Sequence, residues 1–299
     1  LATSAFAGEQ PALSVWAPPP LAKVLRDAVP PEGAPDGLTL EGARNETVSG
    51  QAVIRSTADA GGVTATISEL RHESGATIPA DAVILQWQRY IAIDRNTNGL
   101  PEDELAAKAP NSIPDPFWEA RTIPIKANEA QPLWLEVTVP KDAAAGDYTG
   151  TLAVAAHGQS VVLPVALYVW NFAVPDERHL SVVNWWRFPG LGFDDKIPAY
   201  SDAYYEFLGQ CCDFLVAHRQ TDIQASLSQL IQESKQDDGS VAYDTSRLER
   251  YATTAFEHGI RQIQLHHVGT RTGGHVTPDG RIKAVPEAMN RLPALEAVI

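Results

Sequence analysis

QPLWLEVTVPKDAAAGDYTGTLAV, residues 131–154, decides how the first half of this chain folds. Leu133, Leu135, Val137 and Val139 alternate with Trp134, Glu136 and Thr138, a period of two that puts one set on each face of a strand. The stretch KDAAAGD (141–147) has turn composition, and YTGTLAVAA after it carries Tyr148, Leu152 and Val154 on one face. A third alternating run, SVVLPVALYVW (160–170), presents Leu163, Val165, Leu167 and Val169. Pro164 has no amide to give to a ladder, so this strand is expected at a sheet edge or with a bulge at that point.

Short runs of the same kind, separated by Gly, Pro, Asn and Asp, fill the chain up to about Pro175. Residues 8–175 are therefore expected to form an immunoglobulin-like β-sandwich. Tyr148, after Gly146 and Asp147, fits either the tyrosine corner of such sandwiches or the plain start of a strand.

The period changes after Pro175. LSVVNWWRF (180–188) reads as a largely buried strand, and Tyr204, Phe207, Leu208, Cys211 and Leu215 then recur at helical spacing. TDIQASL (221–227) is a short strand. Ser246 and Glu249 form a capping box that opens a helix with an apolar stripe of Leu248, Tyr251, Ala252, Ala255 and Phe256, closed by Gly259. Ile260 to Val268 is a further strand, and PEAMNRLPALEAVI (286–299) starts another helical stretch. Strand and helix in alternation imply parallel α/β structure. Residues 176–299 are expected to be the first repeats of a (β/α)8 barrel, truncated, because a closed barrel needs roughly 250 residues. An open three-stranded α/β domain is the alternative, at the cost of two unpaired sheet edges.

The chain has 299 residues, enough for two ordinary domains. A formal net charge of -14 disfavours a nucleic-acid partner, since phosphate would be repelled. No run approaches the ~18 apolar residues of a membrane-spanning helix. Residues 1–7 read as a signal-peptide remnant, with Ala5-Phe6-Ala7 in the small-x-small pattern of a cleavage site, which implies a secreted or periplasmic protein; an ordinary Ala-rich terminus is the alternative. The two cysteines, Cys211 and Cys212, are adjacent and read as small core residues.

ARNETVSGQAVI (43–54), IPDPFWE (113–119), the stretch 131–154 and LYVWNFAVP (167–175), in that order, resemble the amino-terminal domain of glycoside hydrolase family 123, the β-N-acetylgalactosaminidases. YYEFLGQCCDFLVAHRQTDI and RLERYATTAFEHGIRQIQL resemble the first repeats of that family's catalytic barrel. The resemblance implies hydrolysis of terminal N-acetylhexosamine with substrate assistance: the 2-acetamido oxygen attacks the anomeric carbon, one carboxylate orients it, and a second carboxyl group protonates the leaving oxygen. In the family these acids are an adjacent Asp-Glu after the fourth barrel strand, so the pair is expected beyond Ile299. The two such pairs within the chain, Asp103-Glu104 and Asp176-Glu177, read as solvated surface charge, and no catalytic residue is assigned.

Substrate-binding candidates are the residues expected at carboxyl ends of barrel strands: Trp185, Trp186, Arg187, His266, His267 and Arg271. Aromatic rings can stack on sugars and Arg or His can donate to hydroxyls, although each of these residues could equally be packing or an ordinary strand end. Alternation puts Gln264 and His266 on the face away from Ile263 and Leu265. Separately, Asp94, Asn96, Asn98, Gly99 and Glu102 match most of a calcium loop, with Leu105 where the bidentate acid belongs; the alternatives are a structural calcium ion and a plain Asn-Gly turn. No cofactor is required. The partner expected is a glycan or glycoconjugate. A hydrolase, a non-catalytic glycan-binding protein and a surface scaffold all fit the sequence.

Overall fold

The computed structural model describes residues 12–183, 185, 197–266, 275–276 and 282–283. The chain divides into two compact units, Leu1–Asp176 and Glu177–Ile299.

The first unit is built from strands. They are β1 (Leu13–Trp16), β2 (Leu38–Arg44), β3 (Thr47–Ser56), β4 (Ala60–Ile67), β5 (Leu70–His72), β6 (Thr77–Ile78), β7 (Val83–Ile93), β8 (Asn111–Trp118), β9 (Ile123–Ile125), β10 (Ala130–Thr138), β11 (Gly146–Ala156) and β12 (Gln159–Ala173). One sheet runs β1-β3-β10-β7-β8 and the other β2-β12-β11-β4-β9, with β5 beside β11 and β6 beside β5. Both sheets give their alternate apolar residues to a single core. Ile54, Leu133, Leu135 and Trp87 come from the first, and Leu40, Leu152, Leu163 and Leu167 from the second. Each such Leu contributes on the order of 1.5–3 kcal/mol by leaving water. At one side the sheets approach so closely that a Cβ on Gly50 would lie 2.8 Å from Leu40 Cδ2, and one on Gly42 2.5 Å from Val48 Cγ1.

The alternation read at residues 133–139, 148–154 and 163–169 is present in full: Leu133, Leu135, Val137, Val139, Tyr148, Leu152, Val154, Leu163, Val165, Leu167 and Val169 are all buried. Pro164 sits at an edge of limited length. β12 lies inside its sheet from Val165 onward, where β2 pairs with it in parallel, but residues 159–164 have only β11 beside them. Pro164 faces Thr151, whose N–H donates to Ser68 Oγ and whose carbonyl accepts from Ser68 N, both at 2.9 Å. That pair exchanges no hydrogen bond with β12, so the missing amide is not needed. Tyr148 is a tyrosine corner: its buried ring packs against His72, and its hydroxyl donates to the Ala144 carbonyl, four residues upstream, at 3.1 Å.

A strap without periodicity, residues 17–36, covers part of the first sheet's outer face. Beneath it Trp16, Val24, Val53 and Ala130 form a second small core, which is why β3 is buried on both faces. Gln51, 1% exposed, holds the strap by donating to the Pro19 and Ala22 carbonyls at 2.9 and 3.0 Å. Tyr90 Oη donates towards the Val24 and Ala130 carbonyls, both at 2.9 Å, and Arg26 lies over its ring.

The second unit contains α1 (Asp202–Ala217), β13 (Asp222–Ser226), α2 (Leu227–Leu230), β14 (Gln232–Lys235), β15 (Val241–Asp244), α3 (Ser246–Glu257), β16 (Gln262–His266), β17 (His275–Val276) and β18 (Ile282–Lys283). β13 and β16 pair in parallel, whereas β14 with β15 and β17 with β18 are antiparallel. The two long helices end alike. Arg219 (φ +63°) donates to Val216 O and Gln220 N to Leu215 O after α1; Gly259 (φ +83°) donates to Phe256 O and Ile260 N to Ala255 O after α3. This is the Schellman arrangement, made at Gly259 without the Cβ penalty that Arg219 bears. Arg178 joins the two ends, donating to the Gln220 carbonyl and, at 3.0 Å, to that of Gly259.

Two sequence expectations change here. The helix opening at Ser246 has no Ser246–Glu249 capping box: Thr245 is the N-cap, its hydroxyl donates to Glu249 Oε1 at 2.7 Å, and Asp244 accepts from Ser246 N at 2.9 Å. Asp244 and Thr245 compete for the same two partners and lie first in the chain. Phe256 is exposed rather than part of the apolar stripe. Of the strand expected over 180–188 the described residues show one parallel bridge, Val183 to Asp222; Leu180 and Trp185 are exposed, and Asn184 and residues 186–188 lie outside the described residues. The helical stretch expected at 286–299 and the signal-like residues 1–7 also lie outside them. No described helix is long and apolar enough to cross a membrane.

Two outcomes follow for stability. Tyr148→Phe should lower the free energy of unfolding by about 1 kcal/mol, measured by urea denaturation, because it deletes one part-buried hydrogen bond; an unchanged midpoint would show the corner to be decorative. Cys211 and Cys212 are free, and burial pushes their thiols up to about 11 and about 12. At pH 8 only about one Cys211 in a thousand is then thiolate, so native protein should resist a thiol reagent that labels both residues in denaturant. Because the shift favours the protonated form in the fold, its stabilisation is complete below about pH 9, the ordinary thiol value, and is lost as pH rises through 11 and 12.

Candidate functional site

The parallel pair has two unlike faces. Ile223, Ala225 and Ile263 turn towards the helices and join the core of Leu208, Cys212, Tyr251 and Ala255. The register sets Asp222 beside Gln262, Gln224 beside Gln264 and the backbone of Ser226 beside that of His266, so alternation puts Asp222, Gln224, Ser226, Gln262 and Gln264 on the opposite face. Gln262 and Gln264 are exposed. Asp222 is 4% exposed, and among the described residues its Oδ1 has no hydrogen-bond partner.

The row is positioned from both ends. Tyr251, from α3, donates through its hydroxyl to the Gln224 carbonyl at 3.2 Å. Val182 lies along the start of β13: its N–H donates to Thr221 Oγ1 at 2.7 Å, and its carbonyl accepts from Thr221 N and Asp222 N at 3.2 Å. At the amino-terminal end Arg178 and Arg261 tie the connections together, Arg261 Nη1 donating to the Arg178 carbonyl at 2.5 Å. The carboxyl-terminal end, with Ser226 and His266, is where parallel sheets place their ligands.

A row of amide, hydroxyl and carboxylate groups can both donate to and accept from a polyhydroxylated ligand. Among the described residues it holds no nucleophile paired with a base, and no group of three or more His, Cys, Asp or Glu is arranged for a metal. Of the sequence candidates, Trp185 is exposed (75%) two residues after the Val183 bridge, and His266 ends β16 opposite Ser226. Trp186, Arg187, His267 and Arg271 lie outside the described residues. Asp222, Gln224 and Ser226 were not singled out in the sequence, although their alternation with Ile223 and Ala225 carries the same signal that placed Gln264.

Elsewhere the chemistry is spent internally. Asp176 binds Lys141 and accepts from Asn45 Nδ2, while Glu177 faces His179, all at the surface. Asp103 and Glu104 lie in an exposed 3-10 turn. In the Asp94 loop, Asn96 Oδ1 accepts from Ala109 N at 2.6 Å, Glu102 pairs with Lys108, and Gly99 has φ +83°. A cleft of about 520 Å³ between α1 and α3 is lined by Asp202, Glu206, Glu257, Arg250 and His258, with Arg250 paired to Asp202 at 2.6 Å. An apolar cleft of about 300 Å³ beside the strap has Pro18, Pro20 and Leu38 in its wall.

Residues 26–156 match the family model described as the glycoside hydrolase 123 N-terminal domain. A solved family 123 glycoside hydrolase from Clostridium perfringens, described in terms of glycolipid glycan hydrolysis, superimposes with a TM-score of 0.77 at 14% identity. The match covers 96% of this chain and 55% of that one, so the chain spans little more than half the length of that enzyme. The fimbrial subunit MyfA from Yersinia enterocolitica matches with a TM-score of 0.27 at 9% identity, over 53% of this chain and 98% of its own, too weakly to bear on the fold. No protein with a curated description matches.

Proposed function

We propose that the chain, whose residues 26–156 match the glycoside hydrolase 123 N-terminal domain model, is the amino-terminal part of a secreted glycoside hydrolase acting on terminal N-acetylhexosamine, N-acetylgalactosamine-like, by substrate-assisted catalysis. In this reading the first unit is an immunoglobulin-like sandwich and β13-α3-β16 is a repeat of a (β/α)8 barrel. The observation that carries it is the joint match, over 96% of the chain, of a strand-built unit followed by a parallel α/β pair.

The polar row of Asp222, Gln224, Ser226, Gln262 and Gln264 then lines the barrel interior. The Ser226–His266 end, with Trp185, Trp186, Arg187, His267 and Arg271, serves the sugar. Neither Asp-Glu pair of the chain ends a strand of the parallel pair, and the family resemblance implies an acid pair after a fourth barrel strand, outside these 299 residues. The share of the related enzyme that is matched, 55%, leaves room for it. A structural calcium ion at Asp94, Asn96, Asn98 and Glu102 belongs to the same proposal. It would have to draw Asn96 and Glu102 away from Ala109 N–H and Lys108.

Two experiments test these statements. The 299-residue chain should release no chromophore from a p-nitrophenyl N-acetylgalactosaminide, whereas the protein extended through the related enzyme's full length should. Release by the short chain, lost on a substitution within it, would refute the placement of the acids, and silence of both would favour a glycan-binding role without hydrolysis. Calcium should raise the melting temperature of the chain, and Asp94→Ala should abolish the shift; a titration with neither heat nor thermal shift would leave a plain Asn-Gly turn.

A further inference from the structure

The outer face of the first sheet is covered only in part. The strap lies over Gln51 and Val53 and reaches Tyr90. Beyond it, β10, β7 and β8 turn a row of side chains to solvent. The register sets Trp134 beside Gln86, Glu136 beside Ile84 and Phe117 beside Gln88, and alternation puts these six on the side away from the core. Trp134 and Phe117 form one continuous surface, with ring centroids 5.5 Å apart and planes inclined by 31°. Phe117 is 46% exposed.

Polar groups hold and border the rings. Trp134 Nε1–H donates to Glu136 Oε1 at 3.1 Å, and Gln86 Nε2 donates to Glu119 Oε1 at 3.3 Å. Glu136 thus holds Trp134 through one oxygen, and Glu119 holds Gln86, the cross-strand neighbour of Trp134. The cation nearest in sequence, Arg89, lies one residue out of step and over Trp118 instead.

The geometry points to a second glycan-binding site on this face, for a neutral oligosaccharide stacked on Trp134 and Phe117. The negative faces of the rings attract the C–H face of a pyranose, and Glu119, Glu136, Gln86 and Gln88 stand at the rim to take hydroxyl hydrogens. Two rings provide at most about 500 Å², well short of the roughly 800 Å² that a stable protein interface covers on each partner. The carboxylates, in a chain of net charge -14, select against sulfated or sialylated sugars. The site stands on the first unit alone and does not depend on the hydrolytic reading.

The test uses the 299-residue chain, an array of neutral galactose- and N-acetylhexosamine-containing oligosaccharides with their sulfated forms, and calorimetry on the strongest neutral ligand. Trp134→Ala should weaken binding at least tenfold, and Phe117→Ala and Glu136→Gln several-fold. Trp134→Phe should bind with intermediate affinity, and Trp170→Ala, an exposed aromatic on the second sheet, should change nothing. Sulfation of the ligand should cost at least tenfold. The inference is overturned if no neutral glycan binds, if sulfated forms bind better, or if Trp134→Ala binds normally. It is equally overturned if the face instead mediates concentration-dependent dimerisation that Trp134→Ala removes. Loss of binding in Trp185→Ala would transfer the glycan to the parallel strand pair and refute this site while leaving the hydrolase reading intact.

Discussion

The pairing of β10 with β3 is the constraint on which the first unit depends. It runs without a break from Ala130 opposite Arg55 to Thr138 opposite Thr47. A slip of one residue would turn Leu133, Leu135 and Val137 to the outer face and drive Trp134 and Glu136 into the core, where Glu136 would have to shed its charge or its water. The register is therefore held by the core as much as by the ladder. The same register also lays the Trp134–Phe117 surface outside. Interior and exterior are two readings of one alternation, and neither can change alone.

The second unit uses a different device. Its parallel pair has helices on one face only among the described residues, and the strands answer with Ile223, Ala225 and Ile263 towards those helices and a polar row away from them. A polar row on a parallel sheet is unusual, since such sheets are normally covered on both sides and apolar on both. Asp222, nearly buried with an unpartnered oxygen, sharpens the point. A face of this kind is suited to enclosing a ligand rather than to packing.

What was legible in the sequence was periodic. The strands around Leu135, Leu152 and Val165 and the helix carrying Leu208 and Leu215 declared themselves because each buries a face, and burial imposes a repeat. Gly259 was legible because few residues accept its backbone conformation. The strap over Gln51 was not, since a segment held by two carbonyls and several prolines has no repeat to detect. The start of α3 was misplaced by one residue because Asp244, Thr245 and Ser246 are all competent caps, and only the fold chooses among them. LSVVNWWRF is a partial case: apolar composition announces a strand, pairing partners decide how much of one forms, and among the described residues a bridge at Val183 is what it shows. Of the candidate site, Gln264 followed from alternation, whereas the Trp134–Phe117 surface needed the β10-β7-β8 pairing, which no local pattern specifies.

One feature of the second sheet bears on how the chain is made. Among the described residues β2 takes its only ladder partner, β12, from the last strand of the unit, and the pairing is parallel. On the ribosome Arg44 emerges roughly 130 residues before Ala173, a wait on the order of ten seconds at ordinary elongation rates. Throughout that interval β2 is a strand without a ladder partner, while β3 can already pair with β1 and β7 with β8. The direction of synthesis thus sets the order of assembly: the first sheet forms early, and the second closes only when its final strand is released.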